Sequence, residues 1–584
     1  MSSLSNFHYL LEIASVKDSY LDVTFEFDRP EGNIQKVFLP SWSPGSYLMR
    51  EYARFILWIK AESDTGERLH LTQKTKSEWE LNWDKSELQN QNSKKATIKA
   101  RIYCHELTVR TSYIDHSMAF LHGPTFYFGL SDEKGNLLNA KRNTVEVRFP
   151  LDWSKISTGL KDISDKREVF LYEAQDFDEL LDAPFLLGCH ETDGFRFKDK
   201  DHELAFAGMT LPHGKDLKAD IKRIVETVSE SFDYDLPYDK YSFLTILKPN
   251  LYGGLEHLNS TALVFDGRKF KERKSYLKWL ELVAHEYFHT WNVKRIRPKA
   301  LGPFDYQNEN YTRMLWLAEG LTSFMDQYFV YRSGLMTMEE YLEAQKNNFN
   351  LYLSIPGKKF QSLEESSFNA WVKLYRPSEF NLNSTISYYL KGGIAFFMLH
   401  LDLVANGNSS FDLIKELWTS YKENPETGLE AQDVYQMIEK ISNSDVVARF
   451  QTHVETTEDI DFESALKESG FEVEWDKDES PYSGLKFKTA NNSLVVSHVV
   501  MDGPGEKAGL MPGDEIVGLN GMRFFANEQK SIEEQIEIGK SYDLLIARNH
   551  ELMNVQMIYG QAPKRVQKIK VIDESLSKKI FPVL

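Results

Sequence analysis

Cysteine is almost missing: the 584 residues hold two, Cys104 and Cys189. Two thiols can pair once but make no disulfide framework, and so sparse a supply suits a reducing compartment. No run of about 18 apolar residues occurs, which argues against a membrane-spanning helix. The opening MSSLSNFHYLLEIASVKDS has no basic start followed by an apolar stretch, so it does not read as a secretory leader. Positive charge is in deficit, 69 Lys and Arg against 87 Asp and Glu, a formal charge of −18. That balance argues against a nucleic-acid-binding surface spread over the molecule. Internal repeats and low-complexity segments are also lacking. The expectation is a cytoplasmic protein with neither nucleic acid nor membrane among its partners.

What is present is an ordinary globular composition, 42% hydrophobic and 27% charged, on a chain too long for one core. Residues 1–185 alternate short apolar-polar runs with turn signals. Tyr20 to Phe27, Ala96 to Tyr103 and Asn143 to Phe149 are period-2 strands, which predicts an N-terminal all-β domain. Leu217, Ile221, Ile224, Val225, Val228 and Phe232 then fall at helical spacing. Strand patterns follow at Tyr241 to Leu247 and within Leu255 to Phe265, and a helix is expected over Ser275 to Val293. Residues 186–335 are read as an α+β catalytic domain and 336–475 as an α-helical domain. After a charged linker at Lys477 to Pro481, strand-length runs return and make 476–562 a small separate domain, with 563–584 left as a tail.

The central feature is His285-Glu286-Tyr287-Phe288-His289. Residues four apart share a helix face, so two imidazoles can converge on one ion. A catalytic zinc takes three protein ligands and keeps a position for water. Glu286 lies about 100° around the helix from His285, where it can act on that water without displacing a ligand. Leu277, Leu280, Ala284 and Phe288 form the stripe that would bury the helix. The string alone is short, so the third ligand decides. A longer H-E-x-x-H-x-x-G-x-x-H pattern is excluded by Asn292 and Arg295. A downstream glutamate is the usual alternative, and Glu319 within Leu315-Trp316-Leu317-Ala318-Glu319-Gly320-Leu321 offers one on a second apolar helix. A carboxylate in such company must be paired or metal-bound if buried.

His285 to His289, continued by Thr290-Trp291-Asn292-Val293-Lys294-Arg295-Ile296-Arg297-Pro298, resembles the glycyl aminopeptidase family, zinc peptidases related to the aminopeptidase-N-like enzymes. Leu317-Ala318-Glu319-Gly320 resembles that family's glutamate-ligand helix. Its distance of 30 positions from His289 implies a loop insertion relative to the aminopeptidase-N relatives. Trp42-Ser43-Pro44-Gly45-Ser46-Tyr47 also looks like this family, so the resemblance covers nearly the whole chain. It implies a thermolysin-like catalytic domain and one Zn2+ per chain on His285, His289 and Glu319, with Glu286 as general base. Tyr252-Gly253-Gly254-Leu255-Glu256-His257 resembles the edge-strand motif that holds the substrate. By that match Gly253 and Gly254 let the substrate backbone approach and Glu256 binds its free α-ammonium. His257 departs from the asparagine of the aminopeptidase-N relatives. Ser387-Tyr388-Tyr389-Leu390-Lys391-Gly392-Gly393 resembles the superfamily's tyrosine motif, which makes Tyr389 the phenol on the oxyanion and Tyr388 second in rank. Arg295 and Arg297 read as structural first, and as ligands of a substrate carboxylate second.

Ser483-Gly484-Leu485-Lys486-Phe487 resembles the carboxylate-binding loop of PDZ domains, and Gly503 to Gly521 is strongly PDZ-like. Such a groove captures a C-terminal peptide as an added strand. The chain's own end, Phe581-Pro582-Val583-Leu584, has that chemistry, so docking of this end in a PDZ groove is an expectation, although Pro582 would forfeit a ladder hydrogen bond. The leading expectation is a zinc metallo-aminopeptidase that uses zinc-activated water to remove Gly or Ala from peptides with a free amino terminus. The alternatives are a zinc endopeptidase, or a PDZ-based scaffold on a weakly active body.

Overall fold

The structure, a computed structural model, describes residues 6–29, 32–86, 93–132, 134–165, 169–209, 216–476, 480–528 and 534–583. The chain forms two compact units, Met1–Tyr311 with Trp418–Gly428, and Thr312–Leu417 with Leu429–Leu584. The boundary therefore falls inside the expected catalytic segment. Most of the expected charged linker, Lys477 to Glu479, lies outside the described residues.

In the first unit the alternating strands fold as their period requires. Tyr20–Asp28 and Lys95–Tyr103 bury every second residue, and they pair antiparallel within a twelve-stranded sheet. Phe7, Tyr9, Leu21, Val23, Phe25, Ile98 and Val145 meet in its core, each at 0 or 1% exposure. A fully buried side chain of this kind contributes about 1.5–3 kcal/mol, so this sheet is a rigid platform. Cys104 is buried and Cys189 exposed, both as free thiols, so the option of a disulfide is not realised.

A second sheet runs Glu191–Phe197, Lys200–Gly208, Lys240–Leu247, Ser260–Phe265, Tyr252–Glu256. Its three central strands are parallel and nearly continuous in burial, while Tyr252–Glu256 turns back antiparallel at the edge. One strand expected within Leu255 to Phe265 is thus a hairpin of two. The helix Leu217–Glu230 buries the predicted stripe. The histidine helix, Arg273–Phe288, buries Leu277, Leu280, Ala284 and Phe288, and also Tyr276, Trp279, Val283 and Tyr287. It is apolar on more than one side and lies inside the unit. It ends at Phe288, short of the expected Val293, and His289 is its C-cap.

The second unit is helical up to Glu468, after which strands return. Leu485–Ala490, Ser493–Val499, Glu515–Leu519, Ser541–Arg548 and Glu551–Ile558 form an antiparallel sheet over Leu494, Val496, Ile516, Leu544 and Ile546. The segment read as a tail carries regular structure among its described residues. Arg565–Val571 pairs with Phe471–Asp476, and a helix follows at Glu574–Ile580. Phe581 is fully buried among Tyr328, Tyr341, Phe397, His400 and Phe471. The Tyr331 hydroxyl donates to its carbonyl at 3.0 Å, and His400 Nε2–H donates to the Ile580 carbonyl at 2.9 Å. The expected docking of this end in the PDZ-like groove is thereby corrected: an aromatic nest buries Phe581 completely, whereas Pro582 would break a strand ladder. Among the described residues no helix is long and apolar enough to cross a membrane.

Phe581→Ala should destabilise this unit by about 3–5 kcal/mol, the usual cost of a cavity left by a core phenylalanine, as measured by denaturant unfolding. A pH effect belongs to the same nest. Burial pulls the His400 pKa from its ordinary 6.5 down to about 4, so the imidazole is neutral in the fold. The unfolded chain takes up a proton near 6.5 and the folded chain does not, so stability present above that pH is lost as pH falls towards 4. The melting temperature should drop across this window, and drop less steeply in His400→Gln.

Candidate active site

His285 and His289 project from the C-terminal turn of the histidine helix, with the His289 N–H still bonded to the His285 carbonyl at 3.2 Å. Their rings stand 4.7 Å apart at 86°. His289 is 1% exposed, and its Nδ1–H donates to the Asn292 carbonyl at 2.6 Å. A carbonyl can only accept, so the proton sits on Nδ1 and Nε2 is left with its lone pair, the form a metal ligand needs. The early end of the helix makes this bond: only after Phe288 does the chain turn far enough to bring the Asn292 carbonyl back to the ring.

Glu286, on the same turn, is 5% exposed. Its carboxylate lies against Gly254 of the edge strand, where a Cβ would overlap it. Glu256, two residues further along that strand, is also 5% exposed. The donor atoms of Glu256, Glu286 and His289 lie within 4.8 Å of one another. Gly45, at φ +78°, comes up to the Glu256 carboxylate, and a Cβ there would stand 2.5 Å from Oε1. Only glycine fits that backbone at that distance. Among the described residues the Glu256 carboxylate has no hydrogen-bond or ion-pair partner, and it borders a cavity. A cavity of about 200 Å³ extends from Glu256 between Trp42, Gly45, Tyr47, Leu258, Lys294 and Tyr306. Gly253 sits on the same strand without a close neighbour across it.

Arg295 takes the structural role. It is 8% exposed and donates to the carbonyls of Thr290 (2.7 Å), Pro237 (2.7 Å) and Leu258 (3.2 Å), which fastens the turn after Glu256. Arg297 donates to the Glu426 carbonyl at 3.2 Å. Asp182 was not singled out from sequence. It accepts from His257 Nδ1–H, the Leu258 N–H and Lys294 Nζ. Burial would raise its carboxyl, but the Lys294 charge and the His257 bond outweigh that and hold it below the usual range.

In the second unit Glu319 is 2% exposed and sits in a π-helical turn, Trp316–Gly320, that runs into the α-helix Leu321–Arg332. An ordinary helix was expected there. The turn is pressed against the tyrosine helix, Tyr388–Ala405: a Cβ on Gly320 would stand 2.9 Å from the Gly392 Cα. Single π turns of this kind are frequent at functional sites. Tyr389 opens the tyrosine helix, its N–H donating to the Ser387 hydroxyl at 3.2 Å, and its ring lies 4.8 Å from that of Tyr388. Burial, then the Glu319 carboxylate, then the neighbouring Tyr375 push the Tyr389 phenol well above its usual range. It is therefore a proton donor rather than an anion. Tyr375, outside every motif, has no sequence signal that would have found it.

Comparison with known proteins matches residues 8–189 to the peptidase M61 N-terminal domain, 278–395 to the M61 glycyl aminopeptidase domain and 459–540 to a PDZ domain. The chain belongs to the M61 glycyl aminopeptidase family and carries a PDZ domain. A crystal structure of an aminopeptidase N family protein from Idiomarina loihiensis is similar at a TM-score of 0.90 and 26% identity, over 98% of this chain and 100% of that one. An M1 zinc metallopeptidase from Deinococcus radiodurans is similar in fold alone, with a TM-score of 0.50 and 13% identity over 78% of this chain and 95% of that one. No curated protein matches.

Gly254→Ala should lower kcat by roughly a hundredfold, the cost of displacing a reacting group by about 1 Å, with the far-UV circular dichroism unchanged. Activity near the wild-type level would show that Glu286 has no fixed place.

Proposed function

We propose that the chain is a zinc-dependent aminopeptidase, with a thermolysin-like catalytic domain, that removes glycine or alanine from the free amino terminus of peptides. The observation that carries this reading is the meeting of Glu256, Glu286 and His289 within 4.8 Å, with Glu256 bordering a cavity. The fixed tautomer of His289 fits a zinc ligand. His285, His289 and Glu319 would hold the ion, one per chain, a His, His, Glu set that suits zinc. Glu256 and Glu286 could instead chelate a cation with His289. That set would consume Glu286, the general base of the motif, and leave His285 idle, so the sequence motif favours the other.

When bound, zinc supplies Lewis acidity to the site. Glu256 pairs with the α-ammonium of the substrate, which fixes the first peptide bond beside Glu286. Glu286 takes the proton of the attacking water and passes it to the leaving amine. Tyr389, kept protonated, donates to the developing oxyanion. The groove of the PDZ domain, lined by Pro481, Ser483, Leu485, Phe487, Leu494 and Phe524, takes a C-terminal peptide.

Glu286→Gln should abolish turnover of glycine and alanine amides and leave bound zinc at the wild-type level. Matched peptides with free and acetylated amino termini, run with and without chelator, separate this reading from an endopeptidase. Cleavage of the acetylated series at an equal rate would contradict it.

A further inference from the structure

The Glu256 carboxylate is tied down by no hydrogen bond of its own among the described residues, so its position comes from the backbone that carries it. On one side Arg110 Nη2 donates to the Gly254 carbonyl at 3.1 Å, and the Gly45 backbone closes over the carboxylate. On the other side a buried polar cluster begins at the next residue. His257, 1% exposed, donates Nδ1–H to Asp182 Oδ1 at 3.1 Å, while the Leu258 N–H donates to Asp182 Oδ2 at 2.7 Å. Lys294 Nζ reaches Oδ1 at 2.7 Å, and Arg295 holds the Leu258 carbonyl. The His257 ring packs 6.1 Å from that of His122, whose Nε2 meets the Ser43 hydroxyl at 3.1 Å, two residues before Gly45. One cluster therefore grips both the strand end that presents Glu256 and the loop that roofs it.

We propose that His257 and Asp182 are positioning residues for recognition of the substrate's α-ammonium at Glu256. This inference rests on the reading of Glu256 as the amine-binding residue. Asp182 has a second effect. Lys294 lines the same cavity as Glu256, and its charge would repel an incoming ammonium if Asp182 did not pair with it. The histidine supplies what a smaller polar side chain at position 257 would not: a ring long enough to reach Asp182 while packing on His122.

The test compares full-length His257→Phe, His257→Gln, Asp182→Asn and Glu256→Gln, with KM and kcat measured on alanine amide, bound zinc by metal analysis, and thermal melts on each. His257→Phe keeps the ring and loses the donor, and Asp182→Asn keeps the shape and loses the charge. Both should raise KM roughly tenfold with kcat nearly unchanged, the mark of lost ground-state binding, and with zinc retained. His257→Gln, which keeps an N–H for Asp182, should restore most of the affinity. If Glu256→Gln raises KM but His257→Phe and Asp182→Asn do not, the positioning role is overturned and the amine-binding reading stands. If Glu256→Gln leaves KM unchanged, that reading fails and this inference falls with it. Loss of zinc and kcat together in the His257 and Asp182 variants would mark a merely structural role and also overturn it. Should His257→Phe not fold, Asp182→Asn decides by the same KM criterion.

Discussion

At Gly254 the backbone of the edge strand comes so close to the Glu286 carboxylate that even a methyl group would collide with it. Much of the first unit is arranged to keep that approach. The parallel strands behind it are buried almost throughout, and the histidine helix lies against them with aromatic and aliphatic residues on several sides. A helix held this rigidly can present three polar side chains, His285, Glu286 and His289, without the entropy that a surface loop would have to lose on substrate binding. The cost is a set of buried polar groups, some of which the fold answers directly: the Asn292 carbonyl accepts from His289, while Asp182 answers Lys294 and His257. Glu256 is the group proposed for the substrate's ammonium.

The second unit solves a similar problem with different means. Its two functional candidates, Glu319 and Tyr389, sit at adjacent ends of helical segments that touch through Gly320 and Gly392. The π turn at Trp316–Gly320 is the local price of bringing that carboxylate near the tyrosine cluster. Further along the same helices, the end of the chain is packed in as a core element: Phe581 closes an aromatic nest between Leu321–Arg332 and Tyr388–Ala405. Ile580 and Phe581 therefore belong to the scaffold that carries Glu319 and Tyr389.

Short-range periodicity explains which of these features the sequence made legible. The i, i+4 histidines, the stripe Leu277, Leu280, Ala284, Phe288 and the alternation in Tyr20–Asp28 are all set within a few residues, and each appears in the structure as expected. Helix ends were less legible, because the stop after Phe288 depends on a carbonyl that returns from Asn292. Contacts between distant residues left no pattern at all. Gly45 roofs Glu256 from far along the chain, Asp182 reaches His257 from the end of a short helix, and Tyr375 meets Tyr389 from a loop. Phe581 follows the same rule: its composition matches a PDZ ligand, while its partners in the nest come from four separate segments.

The central claim is a single catalytic zinc held by this chain. The most direct measurement is a titration of zinc into chelator-stripped protein, with bound metal and release of alanine from a free-amine dipeptide followed together. The account predicts no turnover without metal and a linear rise that stops at one equivalent per chain. Turnover in the metal-free protein, or a rise that continues well past one equivalent, would contradict it.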